Sequence, residues 1–249
     1  MRKGILIGSD SNTEWLLPWW WKYYSKYNEF PVAIADFGLS PQMLKWCQKR
    51  FQVISLKCPQ NFVQQRSSLS KKLALQWQEE YKGDVWQARL AWFKKPFACL
   101  QTPFDLTVWL DADCEVCGPL KPLFDVLKEG VELAIIKEES HVLVYNSGVL
   151  LFRSKASFLK KWAELCLNEN DKFMGDQNAL TELILAGKVR YTELDHKYNW
   201  RMIKGYHDAI VVAHWCAWGK EYIQKFGGLH TLLKAKKRPY CEIAIRSES

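Results

Sequence analysis

Short apolar segments alternate along this chain with segments of helical length and amphipathic character. The apolar segments are short and bounded by turn-forming residues, and they predict strands at Gly4–Gly8, Pro31–Asp36, Phe51–Leu56, Leu106–Leu110, Val131–Lys137, His141–Phe152 and Ile210–His214. The predicted helices are Glu14–Tyr27, Met43–Arg50 after an N-cap at Ser40, Trp86–Leu100 with an interruption at Pro96, Ser157–Asn168 and Asp176–Ala186. Strands joined through helices pair in parallel by right-handed crossovers, so the pattern predicts an α/β fold with a mostly parallel central sheet.

The length of 249 residues, without an internal repeat or linker, predicts a single domain over residues 1–249, with a basic C-terminal extension at residues 221–249. No apolar stretch approaches the ~18 residues of a membrane span, and the N-terminal apolar run is too short for a signal peptide. We therefore expect a cytoplasmic protein without a transmembrane segment. The 8 scattered cysteines predict buried free thiols, and Cys114 and Cys117 form a lone CxxC that only weakly indicates zinc or redox chemistry.

The net charge of +8 indicates an anionic partner. Basic residues concentrate late in the chain, at Lys220, Lys225, Lys234, Lys236, Lys237 and Arg238. They form either a solvated tail or a patch that faces phosphates of a nucleotide, a lipid headgroup or a polysaccharide, which leaves peripheral membrane contact open. The sequence has no helix-turn-helix, RNP or zinc-finger pattern, so we do not expect nucleic acid as a partner.

Two carboxylates follow directly after the predicted strand Leu106–Leu110. Asp111 and Asp113 are two residues apart, and side chains at this spacing in an extended chain point to the same side. Ligands of open α/β sheets bind outside the carboxyl ends of the strands. Adjacent carboxylates repel unless a cation lies between them, and oxygen ligands favour Mg²⁺ or Mn²⁺. The pair predicts either a divalent metal site or a simple acidic turn.

Two further polar segments interrupt the apolar pattern. Asn146, Ser147 and Gly148 lie in an apolar strand, which indicates either a surface that hydrogen-bonds a polyol or a bulge. Asp176 and Gln177 begin a predicted helix. Asp176 either caps this helix or presents a carboxylate to a ligand at its start.

A histidine ends the last predicted strand. His214 is followed by Lys220 in a predicted loop, and it is either a metal ligand or a buried structural residue. Because neighbouring strands of a parallel sheet end on the same side, we expect His214 to meet Asp111 and Asp113 at one metal ion. Just before this strand, residues 198–200 form a non-helical cluster of two aromatic residues around an asparagine.

The order of these segments resembles that of glycosyltransferase family 8, which has the GT-A fold and includes glycogenin and bacterial lipopolysaccharide galactosyl- and glucosyltransferases. The resemblance runs from about Gly4 to Lys220 and leaves out residues 60–83 and 221–249. It covers a first strand with a polar turn, a DFGLS segment, a DxD motif, an N-[SA]-G strand, a DQ pair and a late His-Gly-Lys segment. The resemblance implies transfer of a hexose from a nucleotide sugar, here a UDP-sugar, to an unidentified saccharide, lipid-linked or protein acceptor, with retention of configuration.

The resemblance also implies a role for each matched residue. Asp111, Asp113 and His214 would bind Mn²⁺ or Mg²⁺, and Lys220 would contact the donor diphosphate. The family pattern H-x-x-G-x-x-K-P-W is altered here, because the gap from His214 to Gly219 is longer and no Pro-Trp follows Lys220.

The remaining implied contacts are with the donor. The donor sugar or acceptor would lie against Asn146, Ser147 and Gly148. The donor sugar would lie near Asp176 and Gln177, which we take as the catalytic pair. The nucleoside would be held by Ser9, Asp10 and Ser11. An upstream basic residue, Arg89 or Lys95, would help to hold the donor.

Other classes fit the sequence less well. A nucleotidyltransferase that makes nucleotide sugars carries a glycine-rich loop after its first strand, whereas Gly8 is the only glycine in that turn here. A metal-dependent phosphoesterase needs further closely spaced His and Asp ligands. The principal alternative is a non-catalytic nucleotide-sugar-binding protein of the same fold, which would not require the complete ligand set seen here.

Overall fold

The computed structural model describes residues 1–81, 84–138, 144–216 and 219–234. Within these ranges the strands are β1 Lys3–Ser9, β2 Val32–Asp36, β3 Gln52–Ser55, β4 Leu106–Leu110, β5 Cys114–Val116, β6 Leu133–Lys137, β7 Tyr145–Arg153, β8 Tyr191–Glu193, β9 Trp200–Arg201 and β10 Val212–His214. The helices are α1 Leu16–Tyr27, α2 Pro41–Gln48, α3 Lys71–Tyr81, α4 Val85–Trp92, α5 Lys95–Leu100, α6 Ser157–Asn168, α7 Asp176–Leu185, α8 Gly219–Phe226 and α9 Leu229–Lys234. None of these helices combines the length and the apolar character that a membrane span needs.

Seven strands form the central sheet, in the order β3-β2-β1-β4-β7-β6-β8. Parallel pairs join β3 to β2, β2 to β1, β1 to β4, and β6 to β8. Only β7 runs against its neighbours β4 and β6 among these described strands. The predicted α/β architecture with a mostly parallel sheet is therefore confirmed. The carboxyl ends of β1, β2 and β4 lie along one edge of the sheet, where α/β proteins bind ligands.

The strand that leads to the two carboxylates is buried along its whole length. Leu106, Val108 and Leu110 of β4 enter one apolar core together with α1, whereas Trp109 enters a second core together with α6. A strand covered on both faces needs mostly apolar residues, and β4 has them except at Thr107, whose buried hydroxyl lies 2.8 Å from Thr102 Oγ1. The chain leaves the core at Asp111, and this fixes the carboxylates at the carboxyl edge of the sheet.

Local signals set where two of the helices begin. Ser40 caps α2 by accepting the Met43 backbone N–H at 3.2 Å, and Pro41 stands in the first turn, as predicted. The predicted helix Trp86–Leu100 is in fact two helices, and the break lies before Pro96. Proline fits the first turn of α5 because the N–H that it lacks would have no intrahelical partner there.

The polar segment 60–83, which the sequence left unassigned, contains helix α3. Of its residues only Ala74 and Trp77 are buried, so its apolar stripe is too narrow to stand out in the sequence. Trp77 packs against a guanidinium from the next helix, with Arg89 Cζ 4.4 Å from the ring centre. This tertiary contact adds to the helix propensity of a segment rich in Lys, Leu, Gln and Glu.

His214 lies in a separate three-stranded sheet, in the order β5-β10-β9. The expectation that its strand runs parallel in the central sheet is wrong. Its strand β10 instead runs antiparallel to β5, with His214 opposite Cys114. The chain leaves the central sheet where β4 ends at Leu110, and it becomes extended again at Cys114, where β5 belongs to the second sheet. Asp111 and Asp113 therefore lie in the link between the two sheets.

The described part of the C-terminal extension is packed and helical. Ile223 of α8 and Leu229 and Leu232 of α9 enter the larger apolar core. Lys236, Lys237 and Arg238 lie outside the described residues, so the sequence alternatives for that basic group stay open. The single domain and the cytoplasmic location likewise remain predictions from the sequence.

A buried carboxylate fastens these C-terminal helices to the strand that follows Asp113. Glu115 in β5 is fully buried and accepts four N–H groups. Oε2 accepts from Trp215 Nε1 at 3.0 Å and from the Leu229 backbone at 2.6 Å. Oε1 accepts from the backbone and the ring Nδ1 of His230, at 2.9 and 2.7 Å. Since both oxygens face only donors, this position requires a carboxylate.

The substitution Glu115→Gln tests this requirement. It places an amide N–H₂ against two N–H donors, so we expect the free energy of unfolding to fall by about 2–4 kcal/mol. For a chain of this size the melting temperature should drop by roughly 5–12 °C in thermal unfolding followed by circular dichroism. The control Glu164→Gln removes an exposed carboxylate that pairs with Lys160 on α6, and it should change little. A Glu115→Gln protein that melts within 2 °C of the wild type contradicts this account.

Candidate active site

Three side chains from two separate strand ends converge beside β4. His214 Nε2 lies 3.4 Å from Asp113 Oδ1 and 4.0 Å from Asp111 Oδ2. Asp113 and His214 are buried, and the Asp111 side chain is 26% exposed. About 100 residues of sequence separate the histidine from the carboxylates, and the antiparallel pairing of β10 with β5 brings them together.

The chemistry of this ligand set fits a divalent cation. Octahedral bonds of about 2.1 Å place neighbouring ligand atoms about 3.0 Å apart, close to the 3.4 Å between Asp113 and His214. Carboxylate oxygens with one imidazole suit Mn²⁺ or Mg²⁺ better than a soft metal. The thiol of Cys114 is also within 4.8 Å of Asp113 and His214. It hydrogen-bonds the Gly148 carbonyl at 3.7 Å, and burial raises its pKa well above the ordinary value.

Lys220 lies against the second carboxylate. Its Nζ is 2.7 Å from Asp113 Oδ2, and its side chain remains 31% exposed. Burial alone would raise the pKa of Asp113, but the charge and the hydrogen bond of Lys220 oppose burial, and that pKa lies well below its usual range. The sequence places this lysine in a loop, whereas the structure places it in the first turn of α8.

Lys95 is the basic residue that reaches the carboxylates from upstream. Its Nζ lies 3.0 Å from Asp111 Oδ1, 3.4 Å from Asp176 Oδ2 and 3.1 Å from Ser147 Oγ. Burial opposes the charged form, yet Asp111 and Asp176 outweigh it and raise the pKa of Lys95. The other candidate, Arg89, is fully buried elsewhere.

The Arg89 guanidinium binds backbone carbonyls of the segment that precedes α7. It donates to Phe173 O at 2.5 Å, Met174 O at 2.8 Å and Asn170 O at 2.9 Å. These contacts hold the segment that leads into Asp176. Arg89 therefore has a structural position behind the site, whereas Lys95 contacts its carboxylates. A donor contact of either residue stays a prediction.

The N-S-G strand and the start of α7 bind each other. Ser147 Oγ donates to Asp176 Oδ2 at 2.9 Å, and the Ser147 backbone N–H donates to Gln177 Oε1 at 3.0 Å. Asp176 is only 3% exposed, and burial raises its pKa while Lys95 opposes that shift. The strand and helix thus present Asp176 next to Asp111, with Lys95 between the two carboxylates.

No known family profile matches this sequence, and no curated protein matches it. Among solved structures, the glycosyltransferase GlyE of Streptococcus pneumoniae TIGR4 superposes with a TM-score of 0.60 at 16% identity, over 85% of this chain and 54% of that chain. The galactosyltransferase LgtC, in complex with donor and acceptor sugar analogs, gives 0.61 at 14% identity, over 89% and 94%. Mouse xyloside xylosyltransferase 1 gives 0.54 at 14% identity, over 85% and 96%.

This chain has the GT-A fold of glycosyltransferases. The GT-A fold that the sequence resemblance implied is therefore confirmed. The chain spans about half the length of the GlyE structure, at 54%.

The polar turn after β1 lies at the same edge of the GT-A sheet, because β1 is the neighbour of β4. Ser9 is buried and its hydroxyl lies 2.9 Å from Thr13 Oγ1. Asp10 Oδ1 accepts the backbone N–H of Asn12 and Thr13, so its side chain is bonded within its own turn. Ser11 is exposed. The nucleoside contacts of these residues stay a prediction.

Sequence reasoning missed two residues that lie at this site. Trp109 Nε1 donates to Asp111 Oδ1 at 2.7 Å and orients the first carboxylate of the candidate site. Alternation along β4 could have found it, since residues two apart share a face. Tyr81, the last residue of α3, is close enough to Lys220 and Asp113 for both charges to act on its pKa, which burial raises. No pattern in the sequence indicated Tyr81, because it lies in the segment 60–83 that the sequence left unassigned.

Proposed function

We propose that this protein is a metal-dependent glycosyltransferase that moves a hexose from a UDP-sugar to a saccharide, lipid-linked or protein acceptor, with retention of configuration. The convergence of Asp111, Asp113 and His214 at the carboxyl end of β4 carries the proposal. The GT-A fold supports it, because the fold recurs in structures of sugar transferases. The choice of UDP, of a hexose and of retention rests on the family resemblance.

The site carries a net negative charge, which favours binding of a cation, and the bound cation would in turn attract an anionic donor. Three carboxylates, those of Asp111, Asp113 and Asp176, face two ammonium groups, those of Lys95 and Lys220, which leaves one net negative charge. Asp111, Asp113 and His214 would hold Mn²⁺ or Mg²⁺. When bound, such an ion stabilises the negative charge that develops on a diphosphate leaving group.

The residues around the metal ligands have distinct tasks in this proposal. Lys220, which is part-exposed beside Asp113, would bind the donor diphosphate. Asp176 is a buried carboxylate that can accept a hydrogen bond from a sugar hydroxyl, and Lys95 fixes its position. Gln177 holds the Ser147 backbone and so keeps the N-S-G strand against Asp176.

A cavity at the same edge of the sheet suits the nucleoside end of the donor. It has a volume of about 500 Å³. Its lining includes Asp36, Phe37 and Ser55, at the ends of β2 and β3, and Lys94, which lies between α4 and α5. The Ser11 backbone N–H donates to the Gly38 carbonyl on its rim. This hydrogen bond links the predicted nucleoside turn to the cavity, whose size fits a small ligand.

Metal-dependent nucleotide binding is the expected result that tests the proposal. Isothermal calorimetry should show UDP binding in Mn²⁺ and at least tenfold weaker binding in EDTA, because the diphosphate and the carboxylates repel without the cation. A screen of nucleotide sugars should then find one whose hydrolysis requires Mn²⁺. Equal UDP affinity in both buffers contradicts the proposal. Metal-dependent binding without hydrolysis or transfer of any donor would instead support a non-catalytic nucleotide-sugar-binding protein.

A further inference from the structure

Two buried asparagines join His214 in a chain of hydrogen bonds. Asn199 Oδ1 lies 2.8 Å from His214 Nδ1, and Asn199 Nδ2 lies 2.8 Å from Asn146 Oδ1. The Gly148 backbone N–H donates to the same Asn146 oxygen at 2.9 Å. The three side chains belong to residues that are at most 5% exposed, so water does not compete for these groups.

The donor and acceptor of each of these hydrogen bonds can be assigned by starting from the Gly148 backbone N–H. A backbone N–H can only donate, so the Asn146 atom that faces it is the amide oxygen. That oxygen has a second lone pair, and the Asn199 group that approaches it must be the amide nitrogen. The Asn199 oxygen therefore faces His214 Nδ1, which must carry a proton to donate.

This assignment leaves the other ring nitrogen of His214 free to act as a ligand. In the neutral ring, a proton on Nδ1 means that Nε2 carries a lone pair. Nε2 is the atom that lies 3.4 Å from Asp113 Oδ1 and 4.0 Å from Asp111 Oδ2. Three electron-rich atoms that face one another are stabilised by a cation between them.

The ring is also packed closely on one side. A Cβ added at Gly148 would collide with the His214 ring, so the ring packs directly on the glycine backbone. The N-S-G segment thus supplies both the surface beneath the imidazole and the Asn146 oxygen that orients Asn199. The isolated asparagine of residues 198–200 acquires a role that its sequence context did not indicate.

We propose that Asn199, held by Asn146, is a positioning residue that fixes the His214 ring with its Nε2 lone pair towards Asp111 and Asp113. The proposal rests on the proposed function, since it takes these residues as the ligands of a divalent cation. Hydrogen-bond partners of ligating histidines fix the ring tautomer and orientation, and their loss typically weakens metal binding by about 10–100-fold. Asn146 then acts on His214 through Asn199.

The substitution Asn199→Leu tests this role through metal binding alone, without nucleotide or acceptor. Calorimetric titration with Mn²⁺ should give a dissociation constant about 10–100-fold higher than that of the wild type. The matched control is Asn28→Leu, because Asn28 is also a buried asparagine but hydrogen-bonds only backbone groups, at Leu120, Gly118 and Tyr24. Both variants should melt at lower temperature, whereas only Asn199→Leu should lose affinity for Mn²⁺.

The outcomes separate this proposal from the proposed function. A wild type that binds Mn²⁺ while Asn199→Leu binds it equally well overturns the positioning role and leaves the function standing. A wild type that binds no Mn²⁺ overturns both.

A second measurement needs no variant and is independent of whether Asn199→Leu folds. Long-range ¹H–¹⁵N NMR of the metal-free wild-type protein at pH 8.5 reports which ring nitrogen of each histidine carries the proton. We expect the proton of His214 on Nδ1. A proton found on Nε2 reverses the chain of hydrogen bonds and overturns the proposal.

Discussion

The substitution Asp113→Asn should reduce sugar transfer by roughly 10³-fold while leaving the fold intact. Asp113 is 6% exposed, and its two oxygens face different partners, His214 on one side and Lys220 on the other. An amide at this position removes one of the negative charges that attract the cation. It also directs an N–H₂ group either at the imidazole or at the ammonium. We therefore expect weaker Mn²⁺ binding and a lower kcat/KM together.

The measurement uses the nucleotide sugar that the wild type hydrolyses fastest, with Mn²⁺ affinity measured separately by calorimetry. Asp125→Asn is the matched control, because Asp125 is an exposed aspartate that pairs with a lysine, Lys3, at 3.4 Å away from the site. This control should keep wild-type activity. An Asp113→Asn protein with more than a tenth of wild-type activity and unchanged Mn²⁺ affinity would remove Asp113 from the metal site.

The substitution Lys95→Met should give the largest loss of stability. Lys95 is 4% exposed and is the cation between Asp111 and Asp176, and Asp176 is itself buried. Removal of one partner from a buried ion pair leaves an uncompensated charge and costs about 3–5 kcal/mol. We expect thermal unfolding in EDTA at a melting temperature roughly 10 °C below that of the wild type.

Mn²⁺ should restore part of this stability, because a divalent cation neutralises the same carboxylates. The rise in melting temperature on adding Mn²⁺ should therefore be larger for Lys95→Met than for the wild type. The control Lys160→Met replaces a lysine whose side chain is 79% exposed, and it should show neither effect. If Lys95→Met were as stable as this control in EDTA, Lys95 would not be the charge partner that the structure shows.

Strands and helices with strong local signals could be predicted closely. β4 and α6 have the predicted bounds, and the Ser40 cap begins α2 as expected. α3 was not predicted, because it buries only two residues and so lacks a clear apolar periodicity, although its residues are good helix formers. The strand of His214 was predicted, but its sheet and direction were not.

The sequence by itself determined that one apolar strand is followed by two carboxylates, that another contains Asn146, and that a third ends in His214. Strand positions follow from the local apolar pattern, which is why the sequence suffices for them. Tertiary structure alone decided which of these groups meet. Arg89 and Lys95 are six residues apart and chemically alike, yet the break between α4 and α5 turns Arg89 towards the carbonyls before α7 and Lys95 towards Asp111. The pairing of Asn199 with His214 likewise depends on β9 and β10 lying side by side. These contacts depend on how separate elements pack against each other, and the local sequence pattern does not determine the distance or the orientation between them.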